Sequence, residues 1–568
     1  MKKFHLTDSY VLINFDASKL DSTTGILASK NFKQVFKQFV KVLKAEKHII
    51  LESFYGISVN DVIDAYKLLM IYDFEQITKI NPRLIKLGKI RNKLFEFTNL
   101  FYDYWRKLER FGIMQSSSLY SQSAKVPDLI SYADTFNEKV LGIYRTITQA
   151  IQGYPYLVYR QLPAGVNASL LYALHTYPIG PDYNILQHVP FVTTLLSRPP
   201  FIVYTKSNTR TGLFKEIYHN PLKDLSIDKQ HYYVFPIKVG KLLAFTYIHR
   251  DFIHHGVGLS NLFEFASIEE CKNKKPDIIY VYGIREDEFD CTYFHDNHED
   301  VYVGFVSRLD KNDYFGYLKK MLLTLHNVAM IDKGNLPVHG AMVAITLKNN
   351  KQKNVVIIGD SGAGKSETLE ALRMIGHDYI KDMKIIFDDM GTFSEIDNKI
   401  VASGTELGAF VRLDDLDAGY AYKEIDRAIF LNPDKVNARV ILPVSSYDYI
   451  SQNHQIDIVL YANNYKDDAH QIYIFDNLAQ AIQVFTKGER LAKGTTSEVG
   501  LVSSYFANPF GPMQRKEETS ILLKHYFTKL ENQKVLLGEI YTKLALPGQE
   551  TSGPQTASEK LLQYLLEL

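Results

Sequence analysis

The residues with the most definite chemistry lie in one run, Gly359-Asp360-Ser361-Gly362-Ala363-Gly364-Lys365-Ser366-Glu367-Thr368. It fits G-x-x-x-x-G-K-[ST], the pattern of a phosphate-binding loop. The glycines let backbone N–H groups turn inward around phosphate oxygens, and the start of a helix adds a dipole that favours anions. Lys365 is placed to reach the β- and γ-phosphates, and Ser366 to ligate Mg²⁺. The motif has meaning only between a strand and a helix. The apolar run Val355–Ile358 precedes it and the helix-like run Glu367–Ile375 follows, so Gly359–Glu367 is expected to bind a nucleoside triphosphate.

Phosphoryl transfer also needs a carboxylate to hold the cation that neutralises the developing charge. Asp382, seventeen positions after Lys365, ends a short apolar segment and is placed for that role. Upstream, His339 stands in Leu336-Pro337-Val338-His339-Gly340, one strand before the loop.

Together these segments resemble the phosphoenolpyruvate carboxykinases and their relatives, the HPr kinase/phosphorylases. The loop with Gly376-His377 looks most like the HPr kinases. Asp313-Tyr314-Phe315-Gly316-Tyr317-Leu318-Lys319-Lys320 is similar to the ATP-type carboxykinase run Tyr-x-Gly-Glu-Met-Lys-Lys. Asn437-Ala438-Arg439-Val440-Ile441-Leu442-Pro443 is similar to that family's Asn-Thr-Arg-Val-x-Tyr-Pro, and Ser503–Phe510 to its Ser-Ala-Cys-Phe-Gly-Ala-Pro-Phe. All fall in the family's order, over about 300–515.

The resemblance implies roles. Lys320 and His339 match a lysine and a histidine that ligate a Mn²⁺ bridging substrate and γ-phosphate, and Asp382 matches the first of a paired Asp-Asp. Lys320 must be neutral to ligate, and the neighbouring Lys319 or the metal would lower its pKa. Tyr314 matches a tyrosine that contacts phosphoenolpyruvate, and Lys319 joins the substrate group. Arg439 matches an arginine that bridges substrate and γ-phosphate, for which a forked, permanently charged guanidinium is suited. Two departures stand out. Met383 occupies the place of the second Asp, and Met is a poor ligand for a hard cation. The family's Arg-Ser-Pro arginine for a dicarboxylate has no clear counterpart, leaving Arg160 and Arg210 as candidates. Asp388 or Asp389 lies near in sequence and could substitute for the second Asp, but in the resemblance they match a later acidic turn.

The elements that must position these groups divide the chain in three. Residues 1–125 read as a helical region: Phe32, Val35, Phe36, Phe39, Val40 and Leu43 form one helical face, and a second stripe runs from Leu94 to Phe111. Such stripes serve a core. Ser116 to Pro127 reads as a linker and Leu129–Ile151 as a helix. Residues 126–325 are expected to form a carboxykinase-like mixed α/β domain, with short apolar runs alternating with turn clusters. Residues 326–568 are expected to form the nucleotide domain, so the fold class is α/β, with substrate in a cleft between those two domains.

Composition excludes several classes. Net charge is +1, which gives no reason to expect nucleic acid or an anionic membrane as partner. No apolar run is long enough for a membrane span. The two cysteines, Cys271 and Cys291, cannot build a disulfide framework, and the N-terminus does not read as a signal peptide, so a reducing, cytoplasmic setting is expected. His254-His255 and His295-x-x-His298 read as surface-loop histidines rather than metal ligands. Three functions follow as expectations: a carboxykinase turning oxaloacetate and ATP into phosphoenolpyruvate, CO₂ and ADP; a kinase acting on a protein serine or small hydroxyl compound, with Asp382 as general base; or a nucleotide-binding regulator whose helical third engages a protein partner. ATP, Mg²⁺ and Mn²⁺ are the implied cofactors.

Overall fold

A computed structural model describes residues 4–16, 22–117, 122–155, 159, 164–413, 425–492 and 500–567; the candidate Arg160 lies outside them. The chain is mixed α/β, with helices packed on several mixed sheets. It divides into two compact units, one of residues 1–175 with 190–201 and the other of residues 176–189 with 202–568. The boundaries expected at 125/126 and 325/326 fall inside the helices Gln122–Gln152 and Phe315–Asp332. Among the described residues no helix is long and apolar enough to cross a membrane.

The first unit contains the expected helices and also a sheet. The stripe from Phe32 forms the helix Lys30–Ala45, started by Ser29, whose hydroxyl accepts from the Phe32 N–H. Val35, Phe36, Phe39 and Leu43 are buried on it. The second stripe breaks after Lys107: helix Arg91–Lys107 is followed by strand Glu109–Gln115, which runs parallel to Tyr10–Asn14. Phe111 therefore belongs to a strand, because pairing with Leu12 and Ala168 on either side outweighs a short helical period. Phe36 is fully buried, with the rings of Phe32, Phe39, Tyr66, Phe97 and Phe101 at 4.8–6.2 Å. Phe36→Ala is expected to cost about 3–5 kcal/mol through the cavity it leaves, measured as a lower denaturation midpoint of the full chain.

The second unit holds every site residue it shares with the sequence reading. One sheet orders Tyr232–Val239, Leu242–His249, Ile278–Ile284, Val301–Ser307 and Thr292–Asp296. Helix Phe315–Asp332, buried along almost its whole length, lies against it. The other main sheet is centred on Leu336–Leu347, which pairs with Gln352–Ile358 on one side and with Ile380–Phe387 and Met390–Ile396 on the other. Beyond Gln352–Ile358 come the parallel strands Ile458–Asn463 and Leu536–Tyr541. A small sheet of Gly408–Arg412, Arg439–Pro443 and Ile429–Leu431 completes the frame.

His326, on the long helix, is buried and its Nδ1 meets Asn327 Oδ1 at 3.0 Å. Burial pushes its pKa down to about 4, against about 6.5 in an unfolded chain. Between those values the unfolded chain takes up a proton that the folded chain refuses, so stability falls as pH falls from 6.5 to 4, by at most about 3 kcal/mol from this group. His326→Gln is expected to flatten the decline in melting temperature across that window.

Candidate active site

The loop has the geometry its sequence requires. Strand Gln352–Ile358 leads into it and helix Lys365–Ile375 leaves it. Gly362 and Gly364 have φ of +78° and +89°. A Cβ on Gly364 would sit 2.5 Å from Thr542 Oγ1, so glycine is required there on two counts. Thr542 Oγ1 donates to the Ala363 carbonyl and Asn464 Nδ2 to the Gly362 carbonyl, fixing the loop from outside. Lys365 is buried, with Nζ donating to the Asp360 carbonyl at 3.0 Å. Ser366 is exposed at the helix start and Glu367 half-buried beside it. Asp360 accepts from the Ser361 N–H and pairs with Arg490 at 3.2 Å. Burial pushes its carboxyl up, but His339 and Arg490 outweigh that and hold it below the usual carboxylate range.

The decisive convergence is around Asp389, one of the two carboxylates that could substitute for the missing second Asp. Ile380–Phe387 and Met390–Ile396 run alongside Leu336–Leu347 as one line, interrupted at Asp388-Asp389. The interruption lies level with Gly340, whose N–H donates to the Asp389 carbonyl at 3.0 Å. Asp389 consequently meets three groups: Lys319 Nζ at 2.6 Å and Lys320 Nζ at 2.6 Å, both on Oδ2, and His339 Nε2 at 2.8 Å on Oδ1. Burial raises its carboxyl, but the two lysines and His339 outweigh it and hold it well below the ordinary range. Lys319 is in addition 3.0 Å from the fully buried Glu406, and these two carboxylates hold it above the usual lysine value against burial. Lys320 goes the other way: burial outweighs Asp389, Lys319 repels it, and its pKa is lowered.

His339 bonds through both ring nitrogens. Nδ1 lies 2.8 Å from the Ala507 carbonyl, which only accepts, so Nδ1 carries a proton. Nε2 faces a carboxylate, which when ionised also only accepts. That contact needs either a second proton on the ring or a cation between the ring and Asp389. The Ser503–Phe510 segment thus acts by supplying the Ala507 carbonyl, from a turn in which Phe506 and Ala507 both hold positive φ, 54° and 50°.

Around this core stand the other anticipated residues. Arg439 reaches Tyr314, and its guanidinium lies 5.5 Å from the Phe410 ring centroid. The Tyr314 ring is 5.9 Å from Phe410, and Lys319 Nζ also lies 5.9 Å from it. Arg210 stacks over Phe510 at 5.0 Å, with Lys320 Nζ 4.7 Å from the same ring. Tyr314 is buried, which raises its phenol against Arg439, Arg210 and Lys319. Phe410 and Phe510 are thus the floors on which the cations rest, and the sequence reading assigned neither. Asp388 is pushed up to about 6 by burial and by Asp389, in the field of Lys365 and Glu367.

Asp382 does not join this group. It lies opposite Thr346, seven residues along the strand from His339, roughly 23 Å at strand spacing. Its side chain is half exposed, 3.8 Å from Lys384. Met383 turns inward opposite Ile345 and packs on the core, so the period of two that exposes Asp382 also explains Met383. Met383 therefore takes no metal position, and the Asp-Asp pair at the phosphate-loop end of the strand is Asp388-Asp389. The histidines need correction too. His298 is exposed, but His254 and His255 are buried at the start of helix Ile253–Leu262, and both Nε2 atoms meet Asp313 Oδ1 at 3.0 Å. The chain matches no protein-family model and no curated protein.

Proposed function

We propose that the chain catalyses ATP-dependent phosphoryl transfer of the phosphoenolpyruvate carboxykinase kind, converting oxaloacetate and ATP to phosphoenolpyruvate, CO₂ and ADP on a carboxykinase-like nucleotide domain. The observation that carries this reading is the meeting of Lys320, His339 and Asp389 next to a phosphate loop, inside a wall of arginines. Imidazole, carboxylate and a lysine with a lowered pKa suit Mn²⁺. Bound there, the ion would polarise oxygens of both substrates and neutralise charge as the phosphoryl group moves.

The protein's own groups do the rest. Arg210 and Arg439 offer forked donors to a dicarboxylate and to the γ-phosphate. Lys319, kept charged by Asp389 and Glu406, adds a fixed cation where the enolate oxygen develops. The C–C bond to the departing carboxylate breaks and releases CO₂. Its electron pair forms the enolate, whose oxygen attacks the γ-phosphorus while the bond to the ADP oxygen breaks. Lys365 follows the β- and γ-phosphates, with Ser366 on Mg²⁺.

One observation favours a second reading. Asp388, pushed up to about 6 and in the field of Lys365, has the pKa of a general base near neutrality. A kinase acting on a protein serine or small hydroxyl compound would use it in the role first expected of Asp382. Turnover with ATP, Mg²⁺ and Mn²⁺, with and without oxaloacetate, separates the two: phosphoenolpyruvate and ADP formed together support the first, and ADP formed only with a hydroxyl acceptor supports the second.

A further inference from the structure

A second cluster of ligating side chains lies on helix Ile253–Leu262 and the turn before helix Phe315–Asp332. His254 and His255 each present Nε2 to the same oxygen of Asp313, at 3.0 Å. The three ligating atoms all lie within 4.8 Å of one another, and all three residues are buried. The other Asp313 oxygen accepts from the Lys206 N–H at 2.9 Å, so the carboxylate is aimed by the backbone that leads to Arg210. Among the described residues His255 Nδ1, on the side of the ring away from Asp313, is buried without a hydrogen-bond partner, so Nε2 is the nitrogen that faces the cluster.

We propose that His254, His255 and Asp313 form a transition-metal site of the zinc class, separate from the Lys320–His339–Asp389 cluster. Two imidazoles and a carboxylate are borderline donors that suit Zn²⁺ better than Mg²⁺ or Ca²⁺. Ligand atoms on a tetrahedral zinc stand about 3.4 Å apart, from bond lengths of about 2.1 Å. The two N–O separations are shorter by only a few tenths of an ångström, so an ion enters by replacing the shared hydrogen bonds while the backbone stays in place. Three protein ligands leave a fourth position for water. The ion would join helix Ile253–Leu262 to the residue before Tyr314, and so fix the start of the helix that carries Lys319 and Lys320. Its role is structural positioning.

Zinc bound to the full-length chain, counted after equilibrium dialysis at neutral pH, tests this. His255→Gln and Asp313→Asn are each expected to lose one equivalent or to bind it more than about 100-fold more weakly, while Asp389→Asn keeps it. Zinc binding by His255→Gln equal to that of the unaltered chain would overturn the proposal. Should the variants fail to fold, the unaltered protein decides: chelation is expected to lower its melting temperature and Zn²⁺ to restore it, and a melting temperature indifferent to both overturns the site. Co²⁺ bound to Asp389→Asn is expected to give visible ligand-field bands that disappear when His255→Gln is added; bands that persist count against it. Because Asp389→Asn reports on the other cluster separately, failure of the carboxykinase reading leaves this test intact.

Discussion

On the proposed reading Asp389→Asn is expected to lower ATP turnover by on the order of 10³-fold, while Asp382→Asn leaves it at the level of the unaltered protein. Asn keeps the shape of the side chain and removes the charge that Lys319, Lys320 and His339 share. Loss of a group placed to stabilise transition-state charge typically costs about 10²–10³-fold, and on the proposed reading loss of a Mn²⁺ ligand is added. Removing one member of a buried ionic cluster also leaves its partners uncompensated, at about 3–5 kcal/mol. Asp389→Asn should therefore melt earlier as well. Asp382, half exposed and loosely paired with Lys384, contributes little to stability. Steady-state ADP release and thermal melting of both variants check the pair. A loss in Asp382→Asn as large as that in Asp389→Asn would contradict the assignment of this role to Asp389 alone.

Lys365→Ala gives the second large loss, about 10²–10³-fold in turnover, with weaker binding of Mg²⁺-ATP. Lys365 is buried at the N-terminus of its helix, and its ammonium donates to the Asp360 carbonyl. Among the described residues no carboxylate lies in ion-pair contact with it, which on the proposed reading leaves its charge for the β- and γ-phosphates. Nucleotide titration and steady-state ADP release of Lys365→Ala measure the two losses.

The loop was legible in the sequence because its chemistry is local: the glycines, Lys365 and Ser366 occupy consecutive positions and need only the strand before and the helix after. The mixed α/β class and the helix Lys30–Ala45 were legible for the same reason, since period and capping are short-range signals. The carboxylate that meets His339 was legible only in part. Counting from the loop selected Asp382, with Asp388 or Asp389 as a substitute, but strand register decides which carboxylate reaches His339, and register is set by pairing with Leu336–Leu347. The available signal was the position of Asp388-Asp389 directly after the apolar end of a strand, at the edge where the loop also lies. The aromatic floors were hidden for a related reason. Phe410 stands in no motif and Phe510 only closes the Ser503–Phe510 segment, and neither has a role until the fold brings Arg439, Lys319, Arg210 and Lys320 over their rings. The pairing of Tyr10–Asn14 with Glu109–Gln115 escaped because a parallel pair needs a long crossover that no local pattern reports.

On the proposed reading the Lys320–His339–Asp389 cluster and the phosphate loop serve one reaction. The most direct test supplies ATP, Mg²⁺, Mn²⁺ and oxaloacetate to the unaltered protein and measures phosphoenolpyruvate and ADP together. The two products are expected in equal amounts, dependent on Mn²⁺ and lost in Asp389→Asn. Neither phosphoenolpyruvate nor ADP above background would contradict it.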